Sequence, residues 1–314
     1  MKDLHAQVCG GAKTRVEALQ LESPPPPAPK PCDIAIVGMS CFYPGSVGLQ
    51  QYWENIVNSV YSVTEVPPGH WDWRLFYDPD PAAPDRIVSK WGGFLDDVVF
   101  DPFEYGITPK SIPSIEPLQL LLLESVKLAL ADAGYAEREF DREHTCAILG
   151  VGGGGSPLGV MYGLRSSMPL LNTIEGLPTT GEEVIRLAGD QLPEWTEDSF
   201  PGFLLNVAVG RTANRFNFGG SNYAVDAACA SSLAAVHSCI RELELGTANV
   251  AVALGADTVN TPYSFVAFSK THALSRQGRC RPFDEEADGI VLMRSVSYEG
   301  PPVSAVTGLK LLTA

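Results

Sequence analysis

Gly219-Gly220-Ser221-Asn222-Tyr223-Ala224-Val225-Asp226-Ala227-Ala228-Cys229-Ala230-Ser231-Ser232-Leu233-Ala234-Ala235-Val236-His237 puts a short strand, a run of small residues, a cysteine and an amphipathic helix in close succession. Tyr223 to Asp226 reads as the strand and 229–245 as the helix. Small neighbours let a tight strand-to-helix turn hold the Cys229 thiol at the helix N-terminus. Unpaired N–H groups and the helix dipole there favour thiolate. The same N–H groups can stabilise an oxyanion on an attacked thioester. Cys229 is therefore a physically sensible nucleophile. A buried structural cysteine is the other reading, and the local residues leave both open. His237 lies about 12 Å further up the helix axis, at roughly 1.5 Å per residue. It cannot reach the thiol and is expected to pack inside the helix layer. His272, in Ser269-Lys270-Thr271-His272-Ala273-Leu274-Ser275, would serve a cysteine hydrolase, but no spacing places it near Cys229. His5, His70 and His144 have no catalytic context.

Outward from this segment, apolar runs ending in glycine recur. Asp33-Ile34-Ala35-Ile36-Val37-Gly38 and Thr145-Cys146-Ala147-Ile148-Leu149-Gly150 read as buried strands, as does Val250 to Leu254. Residues 48–58 have helical spacing, with Leu49, Tyr52, Trp53 and Ile56 on one side. Leu118 to Leu130 is apolar nearly all round, so that helix is buried on most sides, and Gly134 is its natural stop. Residues 205–215 also read as helix. The stretch 60–112, rich in Pro, Gly, Asp and aromatics, reads as a long ordered excursion, and 165–202 as irregular. Gly152-Gly153-Gly154-Gly155 precedes Ser156-Pro157 where a P-loop needs Lys-Ser/Thr, so a flexible or close-packed turn is expected there. Alternating strands and helices imply a layered α/β fold with a mixed or parallel central sheet.

The chain of 314 residues carries 22 Lys and Arg against 37 Asp and Glu, a net charge of −15. Nucleic acid and anionic membranes both reward clustered Lys and Arg, so neither is an expected partner. With 45% hydrophobic residues the chain is globular in composition. Cys9, Cys32, Cys41, Cys146, Cys229, Cys239 and Cys280 are widely spaced, with no C-x-x-C pair for zinc or redox chemistry. Scattered thiols fit a reducing, cytoplasmic setting. No secretory leader and no membrane span is read from the sequence. Ser23-Pro24-Pro25-Pro26-Pro27-Ala28-Pro29-Lys30-Pro31 reads as an extended spacer, so 1–32 is expected to be a flexible leader.

The cysteine segment resembles the active-site motif of β-ketoacyl synthases, the condensing enzymes of fatty acid and polyketide assembly. Ile34-Ala35-Ile36-Val37-Gly38-Met39-Ser40-Cys41-Phe42-Tyr43-Pro44-Gly45 resembles the N-terminal strand and turn of that family. Gly278-Arg279-Cys280-Arg281-Pro282-Phe283-Asp284 with Ala287-Asp288-Gly289 resembles a third motif, in the right order. Asp198-Ser199-Phe200-Pro201-Gly202, Asn214-Arg215-Phe216 and Asp226-Ala227-Ala228-Cys229 look closest to large iterative synthases of the polyunsaturated-fatty-acid and glycolipid type.

The resemblance implies a thiolase-like layered αβαβα fold, with the N-terminal half complete over 33–292 and the C-terminal half largely absent. It implies an acyltransferase in which Cys229 takes an acyl chain from a phosphopantetheine thioester on acyl carrier protein, for decarboxylative Claisen condensation. It implies a homodimer and no cofactor bound by the chain itself. The family's two histidines and lysine come from its C-terminal half, and their motifs are not in this sequence, so acyl transfer is the step expected of these residues. After Leu292 the family continues with a Gly-Glu-Gly turn and a hydrophobic strand. Met293-Arg294-Ser295-Val296-Ser297-Tyr298-Glu299-Gly300-Pro301-Pro302 lacks both. The 293–314 tail reads as a shifted frame or an altered exon end, which translating every frame after Leu292 would test. The alternative to an enzyme is an inactive truncated fragment acting only in association or dimer contacts.

Overall fold

Apolar strands alternating with helical segments build a main sheet clad on both faces in the computed structural model, with two small sheets beside it. The structure describes residues 33–152, 156–257 and 260–293, and the backbone of 309–313. The strands are β1 (Ala35–Ser40), β2 (Phe42–Tyr43), β3 (Ser46–Val47), β4 (Val63–Glu65), β5 (Trp91–Gly93), β6 (Thr145–Val151), β7 (Asn222–Val225), β8 (Val250–Ala256), β9 (Leu292–Met293) and β10 (Leu309–Thr313). The helices are α1 (Leu49–Val57), α2 (Pro117–Asp132), α3 (Pro157–Ser167), α4 (Gly181–Ala188), α5 (Ser199–Phe203), α6 (Leu205–Phe216), α7 (Ser231–Glu244) and α8 (Pro262–Lys270).

The main sheet has the order β1-β10-β8-β6-β7. β6 pairs in parallel with both β8 and β7. β10 runs antiparallel to β8 and to β1, so four strands share one direction and β10 opposes them. Every residue of β6 and β8 is buried, as expected of central strands covered on both faces. Period-2 alternation sorts their side chains. Ala147, Leu149, Val250, Val252 and Leu254 pack with α2 and α6. Cys146, Ile148, Ala251 and Ala253 pack on the other face with Ala235, Cys239 and Leu243 of α7.

The nearly all-apolar α2 is buried over most of its surface. Pro117 occupies its first turn, where a missing N–H costs nothing. Gly134 ends it with φ +74°. Its N–H donates to the Ala131 carbonyl at 2.9 Å, and the Tyr135 N–H donates to the Leu130 carbonyl at 2.8 Å. This is the Schellman pattern, which a left-handed glycine permits.

Several expectations change. β1 was expected to be buried, but it is the edge strand, and Ile36 and Met39 are 51% and 40% exposed. α1 forms where its spacing predicts, yet none of its residues is buried among the described residues. The irregular stretch 165–202 contains α4 and most of α5. The Thr180 hydroxyl accepts the Glu183 N–H at 3.2 Å and caps α4, and Thr180-Gly181-Glu182-Glu183 carries that capping signal in sequence. The 293–314 tail, read without any element, supplies strand β10. The leader 1–32 and Gly153 to Gly155 lie outside the described residues.

Candidate active site at a strained strand-to-helix turn

β7 ends at Val225, residues 228–230 form a single 3-10 turn, and α7 begins at Ser231. Cys229 sits two residues before the first helical residue, and its side chain is exposed. The residue before it, Ala228, has φ +48°. A left-handed conformation costs a residue with a Cβ roughly 1–2 kcal/mol, and persists only where its surroundings over-determine it.

Those surroundings are specific. The Ala228 N–H donates to Oδ1 of Asp226 at 2.8 Å. The Ala227 N–H donates to Oγ of Ser231 at 2.9 Å, and the Ser231 hydroxyl donates to the Ala228 carbonyl at 2.7 Å. The Ala230 N–H donates to the Ala227 carbonyl at 3.0 Å. Beneath the turn, β6 presses against the start of α7 at Gly150. A Cβ at Gly150 would lie 2.2 Å from the Ser231 carbonyl oxygen and 2.7 Å from the Ser232 nitrogen. The glycine therefore permits the backbone contact that seats the helix start. Ser231, Ala235, Cys239 and Leu243, four residues apart, form the buried stripe of α7.

The five described cysteines are all free thiols. Cys41, Cys146 and Cys239 are buried. A hydrogen bond to Cys146, together with burial, holds the Cys239 thiol well above the ordinary thiol range. Burial pushes the Cys41 thiol up to about 11. Neither is a ready nucleophile. Cys229 and Cys280 are the exposed pair. The Cys280 Sγ accepts the Val291 N–H at 3.2 Å and lines an apolar cavity of 460 Å³ with Phe42, Tyr43, Tyr61 and Met293. Of these two, only Cys229 stands at the start of a long helix.

His237 was expected inside the helix layer, but it is exposed, because the inward stripe of α7 is set by Ser231, Ala235, Cys239 and Leu243. His272 is exposed on the turn after α8, with φ +56°. Among the described residues no hydrogen bond joins Cys229 to a histidine, and no three His, Cys, Asp or Glu side chains converge as metal ligands. No described helix is long and apolar enough to cross a membrane. Sequence reading missed Ser231 and Gly150. An Asp two residues before the left-handed position was the available signal, since Asp side chains bond backbone N–H groups two residues on.

The family model of the β-ketoacyl synthase N-terminal domain matches residues 32–296. A phenolphthiocerol/phthiocerol polyketide synthase of Mycobacterium tuberculosis is 36% identical over 260 residues, covering 82% of this chain and 13% of that protein. A polyunsaturated fatty acid synthase from Thraustochytrium sp. is 34% identical over 265 residues, covering 82% of this chain and 9% of that protein. This chain thus spans a small part of the relatives it matches. Among solved structures, the oxazolomycin ketosynthase domain from Streptomyces albus aligns with a TM-score of 0.67 at 31% identity, covering 89% of this chain and 42% of that one. The ketosynthase from module 6 of the Bacillus subtilis bacillaene synthase, as a cysteine-to-serine mutant, aligns with a TM-score of 0.68 at 26% identity, covering 89% and 40%. The fold is accordingly thiolase-like, and the chain belongs to the β-ketoacyl synthase family of condensing enzymes, matching it through the N-terminal domain.

Proposed function

We propose that Cys229 is the acyl acceptor of this chain, loaded from a phosphopantetheine thioester on acyl carrier protein. The observation that carries the reading is the exposed thiol on a strained, hydrogen-bonded turn at the start of α7. The thiolate attacks the thioester carbonyl carbon and a new carbon–sulfur bond forms. Charge collects on the carbonyl oxygen, within reach of N–H groups at the helix start. The old carbon–sulfur bond then breaks, and the departing phosphopantetheine thiolate takes up the proton that Cys229 gave up. In the complete reaction a malonyl-type extender loses carbon dioxide. Its carbanion attacks the acyl-cysteine, forming the carbon–carbon bond and releasing the Cys229 thiolate.

The residues placed around Cys229 support the first transfer. The family's histidine motifs are not in this sequence and no described histidine hydrogen-bonds to Cys229, so the purified chain is expected to give acyl-enzyme and no ketoacyl product. A cytoplasmic setting and a homodimer belong to the same reading. β7 is an edge strand of the main sheet, and such an edge offers unpaired N–H and C=O groups to a second copy.

A second reading, association without turnover, draws on exposed apolar side chains. Leu233, Tyr263 and Phe200 are 71%, 62% and 59% exposed, and side chains of this kind mark a contact face where they adjoin one another. Incubation with an acyl-carrier thioester separates the readings. Stable acylation of Cys229 supports the acceptor role, turnover to free acid supports a hydrolase, and no reaction supports association alone.

A further inference from the structure

Ser231 holds the strained turn from both ends, and we infer that it is a positioning residue for acyl transfer at Cys229. The inference rests on Cys229 being the acyl acceptor and adds what aims it. Ser231 is the first residue of α7, where a serine oxygen commonly satisfies its own helix. Here α7 has no side-chain cap, and the hydroxyl reaches back into the turn instead. It accepts the Ala227 N–H and donates to the Ala228 carbonyl, so both its acceptor and its proton are committed to the residues before the thiol. The side chain is buried, 4% exposed.

The Ala228 carbonyl belongs to the peptide that joins Ala228 to Cys229. No cis peptide bond occurs among the described residues. In a trans peptide the C=O and N–H point in opposite directions. A carbonyl drawn toward buried Ser231 therefore turns the Cys229 N–H away from it, toward the open side of the turn where the thiol is exposed. One hydrogen bond thus sets the direction of a backbone donor beside the nucleophile. The Asp226 carboxylate holds the preceding peptide through the Ala228 N–H, and Gly150 lets β6 brace the Ser231 carbonyl from below. Without the Ser231 hydroxyl, Ala228 is free to relax to a negative φ, and the Cys229 peptide rotates with it. The thiol stays exposed, but its N–H no longer faces the attacked carbonyl.

The test compares two reactions at one sulfur in the full chain and in Ser231→Ala. Acylation by an octanoyl phosphopantetheine thioester uses a donor for the developing oxyanion, whereas alkylation by iodoacetamide uses only an accessible thiolate. Peptide mass spectrometry reads both at Cys229, with Cys280 as the exposed reference and Cys146 and Cys239 as buried reporters of folding. Ser231→Ala is expected to slow acylation of Cys229 about 10- to 100-fold. Its alkylation, normalised to Cys280, should stay within about threefold of the wild-type value, since that reaction needs no oxyanion donor. If Ser231→Ala exposes the buried thiols to iodoacetamide, Asp226→Ala on the exposed side of the turn takes its place, with the same expectation for a second bond to the strained residue. Acylation at the wild-type rate in the folded variant overturns the positioning role and leaves the acceptor role standing. A wild-type chain that takes no acyl group at Cys229 overturns both.

Discussion

Replacing Gly150 with alanine tests how the turn that carries Cys229 is seated. The new Cβ would stand 2.2 Å from the Ser231 carbonyl oxygen, 2.4 Å from its carbonyl carbon and 2.7 Å from the Ser232 nitrogen. All three are backbone atoms, so no side chain can swing aside. Contacts under 3.0 Å essentially do not occur for a real Cβ, and opening 2.2 Å to that limit displaces the start of α7 from β6 by about 0.8 Å. β6 is buried along its whole length and paired on both sides, so the helix start gives way. Overpacking of this kind costs about 1–3 kcal/mol, and each kcal/mol lowers Tm by about 2–4 °C in a domain of this size. A shift near 1 Å at a reacting group costs up to about 100-fold in rate. Gly150→Ala is therefore expected to melt several degrees lower by calorimetry and to acylate Cys229 tens of times more slowly. Cys280, far along the chain from the turn, should alkylate at its normal rate. A Gly150→Ala chain with the wild-type Tm and acylation rate would refute the seating of α7 on β6.

Three further outcomes follow from the same geometry. Iodoacetamide on the native chain should label Cys229 and Cys280 and spare Cys41, Cys146 and Cys239 until denaturant is added; early labelling of Cys239 contradicts the packing of α7. Gln119 is buried, donates to the Pro201 and Gly202 carbonyls at 3.0 and 2.8 Å, and accepts Nε of Arg211 at 2.8 Å. Gln119→Leu strips partners from buried polar groups and should cost about 1–3 kcal/mol in urea unfolding, whereas an unchanged midpoint counts against that network. Burial raises the Cys41 thiol from 9.0 to about 11, so across that window the native chain keeps a proton that the unfolded chain has lost. Stability should fall as pH rises from 9.0 toward about 11, less steeply in Cys41→Ala, and an identical slope in the variant would rule the thiol out.

The centre of the fold was legible in the sequence because burial on both faces leaves a plain mark. Thr145 to Gly150 and Val250 to Leu254 have no polar alternation, and α2 has almost no polar face. The end of α2 was legible in Gly134, since the left-handed stop suits glycine. The rim was harder. Ile34 to Gly38 has the same apolar look as β6, yet it forms an edge, and position in a sheet is not a local property. Likewise β10 fills the place between β1 and β8 from a distant stretch of chain that shows no strand signal near Met293. The place of Cys229, exposed at the turn before α7, was legible through its small neighbours and the helix that follows. Its supports were not. Ser231 reads as an ordinary helix-start serine, and Gly150 as the end of a strand, until tertiary packing brings one against the other. His237 was misplaced because the inward face of α7 follows Ala235, Cys239 and Leu243.

The acceptor role of Cys229 stands or falls on site-resolved mass spectrometry after incubation with an acyl phosphopantetheine thioester. An acyl adduct is expected on the peptide that contains Cys229, none on Cys280, and none at all in Cys229→Ala. A folded chain that stays unmodified at Cys229, or that carries the acyl group elsewhere, would contradict that role.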